Sequence, residues 1–488
     1  MRKRRDITHH GRTTRNAVMA IAAMLLLSVS LLALDSETVL YTFPGGSHGA
    51  VGGTQFVSDP AGNLYGTTFS GGNDSTSCET ATGVPGCGVV FKLTPRAHGA
   101  WEETVLHTFT GGSDGAMPSG GVILDSAGNL YGTTWYGGDK RPAHCHATGF
   151  VPGCGLVYKL SPTEHGPWNE TVLHAFTGGS DGSLPFAGVI LDSKGNVYGA
   201  ATFWGDVGYG VVFKLTPTNK GPWTESVLYS FTGGTDGSAP YGGLTFDSRG
   251  NLYGVTLYAG DLSVKCYGAT GCGVVFKLTP SGSGPWTETV LHAFTGGTDG
   301  GYILMGVIPD SRGNVYGTAL YGGNATANNC LGGDGIGAPP GCGVVFKLAP
   351  GAHEAWKETV LYTFTGGSDG AFASSPLVFD SSGNLYGMTA NGGDLAATCP
   401  FGNEKNNGCG VVFKLKPAAK GPWSESVLYA FTGGADGGSP ESNLLFDSAS
   451  NIFGITEAGG KRSECTGNFS GAGCGVVFKI DQGHNDQF

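Results

Sequence analysis

The sequence predicts an all-β fold, a seven-bladed β-propeller with four antiparallel strands per blade, and three observations predict it. Four short segments rich in β-branched and aromatic residues recur in fixed order, seven times over. Gly, Pro, Asn or Asp bounds each of them, which is how strands and tight turns are punctuated. The chain also opens with one strand of the unit and closes with the other three, so its two ends complement each other. Pairing them completes the last blade and removes two exposed sheet edges.

The elements follow in chain order. Arg2, Lys3, Arg4, Arg5, Arg12 and Arg15 precede an apolar run from Ala17 to Leu34. A basic stretch followed by an apolar one has the layout of a secretory signal, and residues 1–34 are expected to act as a signal peptide or an N-terminal anchor. The propeller is expected over 35–480 and a polar tail over 481–488. Its units lie near 51–109, 119–176, 187–231, 242–294, 304–364, 375–431 and 442–480, the last completed by 37–43.

Within a unit, strand A is the segment typified by Gly121-Val122-Ile123-Leu124-Asp125. Strand B is Asn-Leu-Tyr-Gly, beginning at Asn63, Asn129, Asn196, Asn251, Asn314, Asn384 and, in degenerate form, Asn451. Strand C is Gly-Val-Val-Phe-Lys-Leu, beginning at Gly88, Gly155, Gly210, Gly273, Gly343, Gly410 and Gly475. Strand D begins at Glu37, Glu103, Glu170, Glu225, Glu288, Glu358 and Glu425. Repeat spacings of 55 to 70 residues suit a four-stranded blade. Strand C is apolar on both faces, as a small sheet held between two neighbours requires. A solenoid would need distinctive polar caps, and none is visible.

Composition excludes other classes. The 488 residues hold 89 Gly, 26 Phe, 18 Tyr and 8 Trp with only 13% charged residues, too apolar for disorder and too rich in glycine for long helices. The formal charge is −11; residues 1–34 contribute +5, leaving −16 on the remainder. That acidity argues against nucleic acid as a partner, and membrane contact is expected only through the N-terminal segment.

The 12 cysteines fall as pairs inside the B-to-C loops: Cys78 and Cys87, Cys145 and Cys154, Cys266 and Cys272, Cys330 and Cys342, Cys399 and Cys409, Cys465 and Cys474. The third unit has a short loop and lacks both members. Losing both together implies that the two act on each other, as disulfides in a secreted or cell-surface protein.

In a propeller the D-to-A and B-to-C loops share one face, so the long, variable, cysteine-bearing loops gather there. Three features of that face bear on function. A Gly-Gly-x-Asp-Gly turn supplies Asp114, Asp181, Asp236, Asp299, Asp369 and Asp436, with His48 in the remaining unit; a ring of carboxylates would suit Ca²⁺, whereas Asp-Gly also makes such turns by bonding its own backbone. At the end of strand B the repeat relaxes, giving Phe69-Ser70, Trp135-Tyr136, Phe203-Trp204, Leu257-Tyr258, Leu320-Tyr321, Ala390-Asn391 and Glu457-Ala458. The aromatics Trp135, Tyr136, Phe203, Trp204, Tyr258 and Tyr321 would form a sector able to stack on sugars or clamp a peptide, or would pack the blades. Glu457 is the only acid at its repeat position, with no evident partner. Trp101, Trp168, Trp223, Trp286, Trp356 and Trp423 recur with the unit between strands C and D and read as packing anchors between blades. No nucleophile elbow, zinc-binding helix, P-loop or Rossmann turn is present.

The string Asn-Leu-Tyr-Gly…Gly-Cys-Gly-Val-Val-Phe-Lys-Leu-Thr-Pro…Glu-Thr-Val-Leu-His-Thr-Phe resembles the Gloeo/Verruco (GloVer) tandem repeat of exported bacterial proteins, from Glu37 to Ile480. The resemblance implies a surface or secreted location and no assigned activity. More distantly, Asp-Ser-x-Gly-Asn-Leu-Tyr is similar to NHL-type propellers, which include lyases and lactonases; the basic residue and Asn those blades carry after strand B are not seen. The leading expectation is a non-enzymatic module binding a glycan, peptide or cell-envelope protein by its disulfide-braced face. The alternative is a metal-dependent, lyase- or lactonase-like enzyme at the channel mouth, for which His48, Asn391 and Glu457 are the available non-repeating polar residues.

Overall fold

The computed structural model describes residues 36–482 except 74–77, 79–84, 139–144, 146–150, 165–166, 220, 267, 283, 325–329, 331–337, 353–354, 398, 400–407 and 461–472. The N-terminal segment 1–34, residues 483–488 and Cys465 lie outside the described residues. Seven antiparallel sheets follow one another as the blades of a propeller, and the only helical turns described are short ones such as Gly46–His48 and Ala97–Gly99. The second sheet is typical: Val122–Leu124, Leu130–Thr134, Leu156–Ser161 and Asn169–Ala175, each paired antiparallel to the next. In the seventh, Ile452–Ala458 pairs with Val476–Asp481, and Val476–Asp481 pairs with Ser36–Thr42 from the start of the chain, Val39 opposite Phe478.

The repeated letters each have a physical reason. In the A-to-B turn, Asp247 Oδ1 accepts from the backbone N–H of Arg249 and Asn251 while Oδ2 accepts from Asn251 Nδ2 and the Tyr253 hydroxyl. One carboxylate thus ties the turn to strand B, and the same set recurs at Asp59, Asp125, Asp192, Asp310 and Asp380. Burial alone would raise the carboxyl of Asp247, but the donors from Asn251, Arg249 and Tyr253 outweigh it and hold the pKa below the usual aspartate value. The glycine after the tyrosine is required by contact: a Cβ on Gly254 would sit 2.4 Å from Cζ of Phe276 on strand C.

Blades are joined by aromatic rings. The phenylalanine after strand D of one blade meets the strand C ring of the next at a steep angle, at centroid distances of 5.0 to 5.2 Å for Phe109–Tyr158, Phe231–Phe276, Phe294–Phe346, Phe431–Phe478 and Phe43–Phe91. The linker tryptophans do the same outside: Trp168, Trp223, Trp286 and Trp423 pack on Tyr65, Tyr131, Tyr198 and Tyr316 at 6.2 to 6.4 Å. Aromatic pairs contribute about 0.5–1.5 kcal/mol each beyond their area, so the rings tie neighbouring blades together.

Candidate functional site in the central channel

The segment after each Asp-Gly turn, read from sequence as part of a turn, is a second, innermost piece of strand. Ala50–Gly52, Ser238–Pro240, Ala371–Ala373 and Gly438–Pro440 pair with the far end of strand B, and single bridges Ala116–Tyr136, Ser183–Phe203 and Gly301–Tyr321 mark the same place in the other blades. One residue of this piece is left-handed in every blade: Val51, Met117, Leu184, Ala239, Tyr302, Phe372 and Ser439, with φ between 49° and 61°. That twist lets its N–H reach across to the preceding blade, where Met117, Tyr302 and Phe372 donate to the carbonyls of Cys87, Cys272 and Cys342.

Two residues further on, the chain faces the channel, and there the repeat stops. The equivalent positions hold Gly53, Ser119, Phe186, Tyr241, Leu304, Ser374 and Glu441. All but Ser374 line a cavity of about 230 Å³ on the loop side, with Phe69 and Glu457 from the ends of strand B. A second cavity of about 220 Å³ continues the channel past Thr54, Phe186, Tyr241, Leu304 and Met305 toward Gln55 and Asn443. Asn443 holds the wall together there, accepting from the Phe56 N–H at 2.8 Å and donating to its carbonyl at 3.1 Å.

Chemistry is concentrated on two sides of the upper cavity. Phe186 and Tyr241 stack with centroids 4.0 Å apart, and Trp135 meets Phe186 edge-on at 5.3 Å. Facing them, Glu441 and Glu457 hydrogen-bond each other. Burial raises both carboxyl pKa values, Glu457 further through repulsion from Glu441, so the pair retains a shared proton toward neutral pH. Tyr241 feels the same surroundings: burial first, then Tyr302, the two glutamates and Tyr258, push its phenol well up. Glu457 therefore has a partner that the sequence did not reveal. The signal was available, since Glu441 breaks a repeat column otherwise made of small or apolar residues and Tyr241.

The aromatic residues predicted from sequence divide between roles. Tyr136 is buried in the blade core beside Cys78, Cys87 and Phe109. Trp135 is half-buried and touches Phe69, Tyr136 and Phe186. Tyr258 and Tyr321 both flank Tyr302, at 5.8 and 5.9 Å. Phe203 and Trp204 are exposed. Their register needs correcting: the bridges place Phe203 opposite Ser183 as Tyr136 lies opposite Ala116, so the equivalents of Trp135-Tyr136 are Thr202-Phe203, and Trp204 falls on the next column.

The six aspartates lie at blade junctions. Asp236 accepts from Thr232 N–H and Oγ1, Gly234 N–H and the Tyr229 hydroxyl. Asp369 is bonded in the same way, with Tyr362; Asp181 and Asp299 have His174 and His292 in the tyrosine's place, at 3.1 and 3.2 Å. The strand D glutamate of the next blade faces each station, and one of its carboxyl oxygens is buried without a hydrogen-bond partner in all seven copies. Burial, with repulsion from the neighbouring aspartate, pushes Glu37, Glu170, Glu288 and Glu425 up to about 7. In the first blade His48 stands in for aspartate and bonds Glu103 at 2.5 Å, with Tyr41 on the same oxygen at 2.9 Å. Among the described residues no three His, Cys, Asp or Glu side chains converge as a metal site.

Cys78–Cys87, Cys145–Cys154, Cys266–Cys272, Cys330–Cys342 and Cys399–Cys409 are disulfides, and Cys474 is disulfide-bonded as well. Their number suits an oxidising, extracytoplasmic compartment. Among the described residues no helix is long and apolar enough to cross a membrane. The third blade replaces the bridge with a ring. The Cys78–Cys87 sulfurs cover Gly111, and in the third blade Tyr209 covers Gly233 instead, its carbonyl accepting from Ala239 as the carbonyl of Cys87 accepts from Met117.

Comparison with known proteins gives one repeat match over part of the chain and distant structural likenesses. No curated protein matches the sequence. Among solved structures, a gluconolactonase from Xanthomonas campestris is 12% identical, with 93% of each chain covered and a TM-score of 0.36. A puromycin-hydrolysing peptidase of Mycobacterium tuberculosis is 10% identical, covering 86% of this chain and 52% of its own, at 0.43. A Trichoderma reesei carbohydrate-active enzyme of family AA12 is 11% identical, covering 74% and 92%, at 0.35. Likenesses at this level say nothing about chemistry. The model of the Gloeobacter/Verrucomicrobia repeat matches residues 143–333. The chain is a seven-bladed β-propeller that carries the Gloeobacter/Verrucomicrobia repeat over those residues.

Proposed function

We propose that the protein is an extracytoplasmic binding propeller that holds a small neutral saccharide in the loop-side cavity of its channel. One observation carries this reading: where each blade meets the channel the repeat gives way to unlike residues, which set the Phe186–Tyr241 stack against the Glu441–Glu457 pair. A sugar ring has an apolar C–H face and a rim of hydroxyls that both donate and accept. The stacked rings suit the face. A carboxyl pair that shares one proton offers an acceptor and a donor together, which suits the rim. The space of about 230 Å³ suits a small ligand.

The same geometry favours binding over glycoside hydrolysis. Retaining glycosidases hold their carboxyl groups about 5–5.5 Å apart and inverting ones further, whereas these two hydrogen-bond each other. Screening the protein and its Tyr241→Ala variant against an array of neutral and acidic glycans tests the proposal. Neutral glycans bound by the wild type and lost by the variant are expected. Equal binding by both proteins, or preference for acidic glycans, would overturn it.

A further inference from the structure

We infer that Trp204, with Phe203 and Tyr209 beside it, forms a second saccharide subsite on the rim of the same face, so that the ligand is a chain of sugar units with one end in the channel. This rests on the proposed function and extends it.

The argument begins with a column of glycines. Directly after the residue bridged to the inner strand, the backbone is left-handed in every blade. Five blades place glycine there: Gly71, Gly137, Gly322, Gly392 and Gly459, with φ from 77° to 84°. The fourth blade has Ala259 at 64°, and the third has Trp204 at 62°. A side chain other than glycine in this conformation costs about 1–2 kcal/mol, and a bulky one is an outlier. Trp204 is 40% exposed. A partly exposed tryptophan where five blades carry glycine adds an aromatic face to the rim of the third blade.

Its surroundings give that face a shape. The third blade has the short B-to-C loop, without a disulfide. Phe203, Val207 and Tyr209 are 42%, 52% and 47% exposed. The Tyr209 ring lies over Gly233, which fixes one side of the patch. Trp204 accepts the Gly210 N–H through its carbonyl and bridges to Tyr209, fixing the other. The exposed carboxylate of Asp206 lies between them in the loop. The patch and the cavity belong to the same blade: Phe203 is paired with Ser183, three residues before Phe186 in the cavity wall.

Rigid aromatic faces next to a carboxylate suit the C–H faces and hydroxyls of a neutral sugar chain. An anionic polymer is disfavoured by the charge of −16 on residues 35–488. A protein partner would be expected to need a broader patch than one loop supplies.

Calorimetric titration of neutral oligosaccharides of one to six units, taken from the array hits, tests the inference with wild type, Trp204→Gly and Tyr241→Ala. Trp204→Gly restores the residue that five other blades carry, so its melting temperature should stay level or rise. We expect it to bind single sugars as the wild type does and to lose about tenfold in affinity for chains of three or more units, one stacking contact's worth. Undiminished binding of long chains by Trp204→Gly, or a melting temperature lowered by several degrees, would overturn the rim subsite while leaving the channel reading intact. Long chains that bind Tyr241→Ala undiminished but not Trp204→Gly would overturn the channel reading and keep the rim subsite. Absence of any glycan binding would overturn both.

Discussion

The glutamates at the blade junctions should make stability fall as pH rises, against the common pattern. Glu37, Glu170, Glu288 and Glu425 are pushed up to about 7 from 4.5. Glu103, Glu225 and Glu358 shift in the same direction. A carboxyl whose folded pKa is raised keeps its proton in the folded chain after the unfolded chain has lost it. Its contribution is fully present below about 4.5 and is lost as pH rises through 7. Each such proton tilts stability by about 1.4 kcal/mol per pH unit in the limit. These side chains are partly solvated and screening reduces the effect, so about 2 kcal/mol per pH unit for the four together is the expected slope between pH 5 and 7. The turn aspartates act in a separate window. Their pKa values are lowered, so their contribution is present above 3.8 and disappears as pH falls through the folded values. Stability should therefore peak near pH 4–5. Urea unfolding followed by tryptophan fluorescence at half-unit pH steps gives the curve, and Glu170→Gln with Glu288→Gln should remove about half the slope. A flat or rising profile between pH 5 and 7, or an unchanged slope in the double variant, would refute the reasoning.

Three further outcomes are expected. Gly254→Ala brings a methyl to 2.4 Å from Cζ of Phe276 and should destabilise by about 1–3 kcal/mol, read as a lower denaturant midpoint with unchanged slope. Replacing Cys266 and Cys272 by serine opens a short loop and should lose about 2 kcal/mol in the chain-entropy account; an unchanged midpoint would mean that the bridge does not constrain the unfolded chain. Phe43→Ala removes the ring that meets Phe91 at 5.2 Å and should lose about 3–5 kcal/mol, as much as Phe231→Ala between two interior blades; a much smaller loss would mean that the first strand contributes little to the last blade.

The fold was legible because its determinants are local and repeated. Asp-Ser-x-Gly-Asn-Leu-Tyr-Gly writes out a turn, its hydrogen bonds and a contact glycine in consecutive letters, and paired cysteines that vanish together announce a bridge. The channel was not legible in the same way. Glu441 lies in a segment read as turn, because the Pro and Gly around it mask two or three residues of inner strand, and its partnership with Glu457 depends on packing across the channel. Trp204 was singled out for its ring, but one residue out of register; the backbone conformation of its column, not its chemistry, shows why it is unusual. Asp114 and its equivalents were visible as a recurring carboxylate, while the tyrosine or histidine and the glutamate that meet it come from strand D and from the next blade, a neighbourhood that no spacing rule encodes.

A crystal structure of the protein with its best-binding glycan tests the central claim most directly. The account predicts a sugar ring lying against Phe186 and Tyr241, with a hydroxyl hydrogen-bonded to Glu441 or Glu457. A glycan bound elsewhere on the molecule, with the channel unchanged, would contradict it.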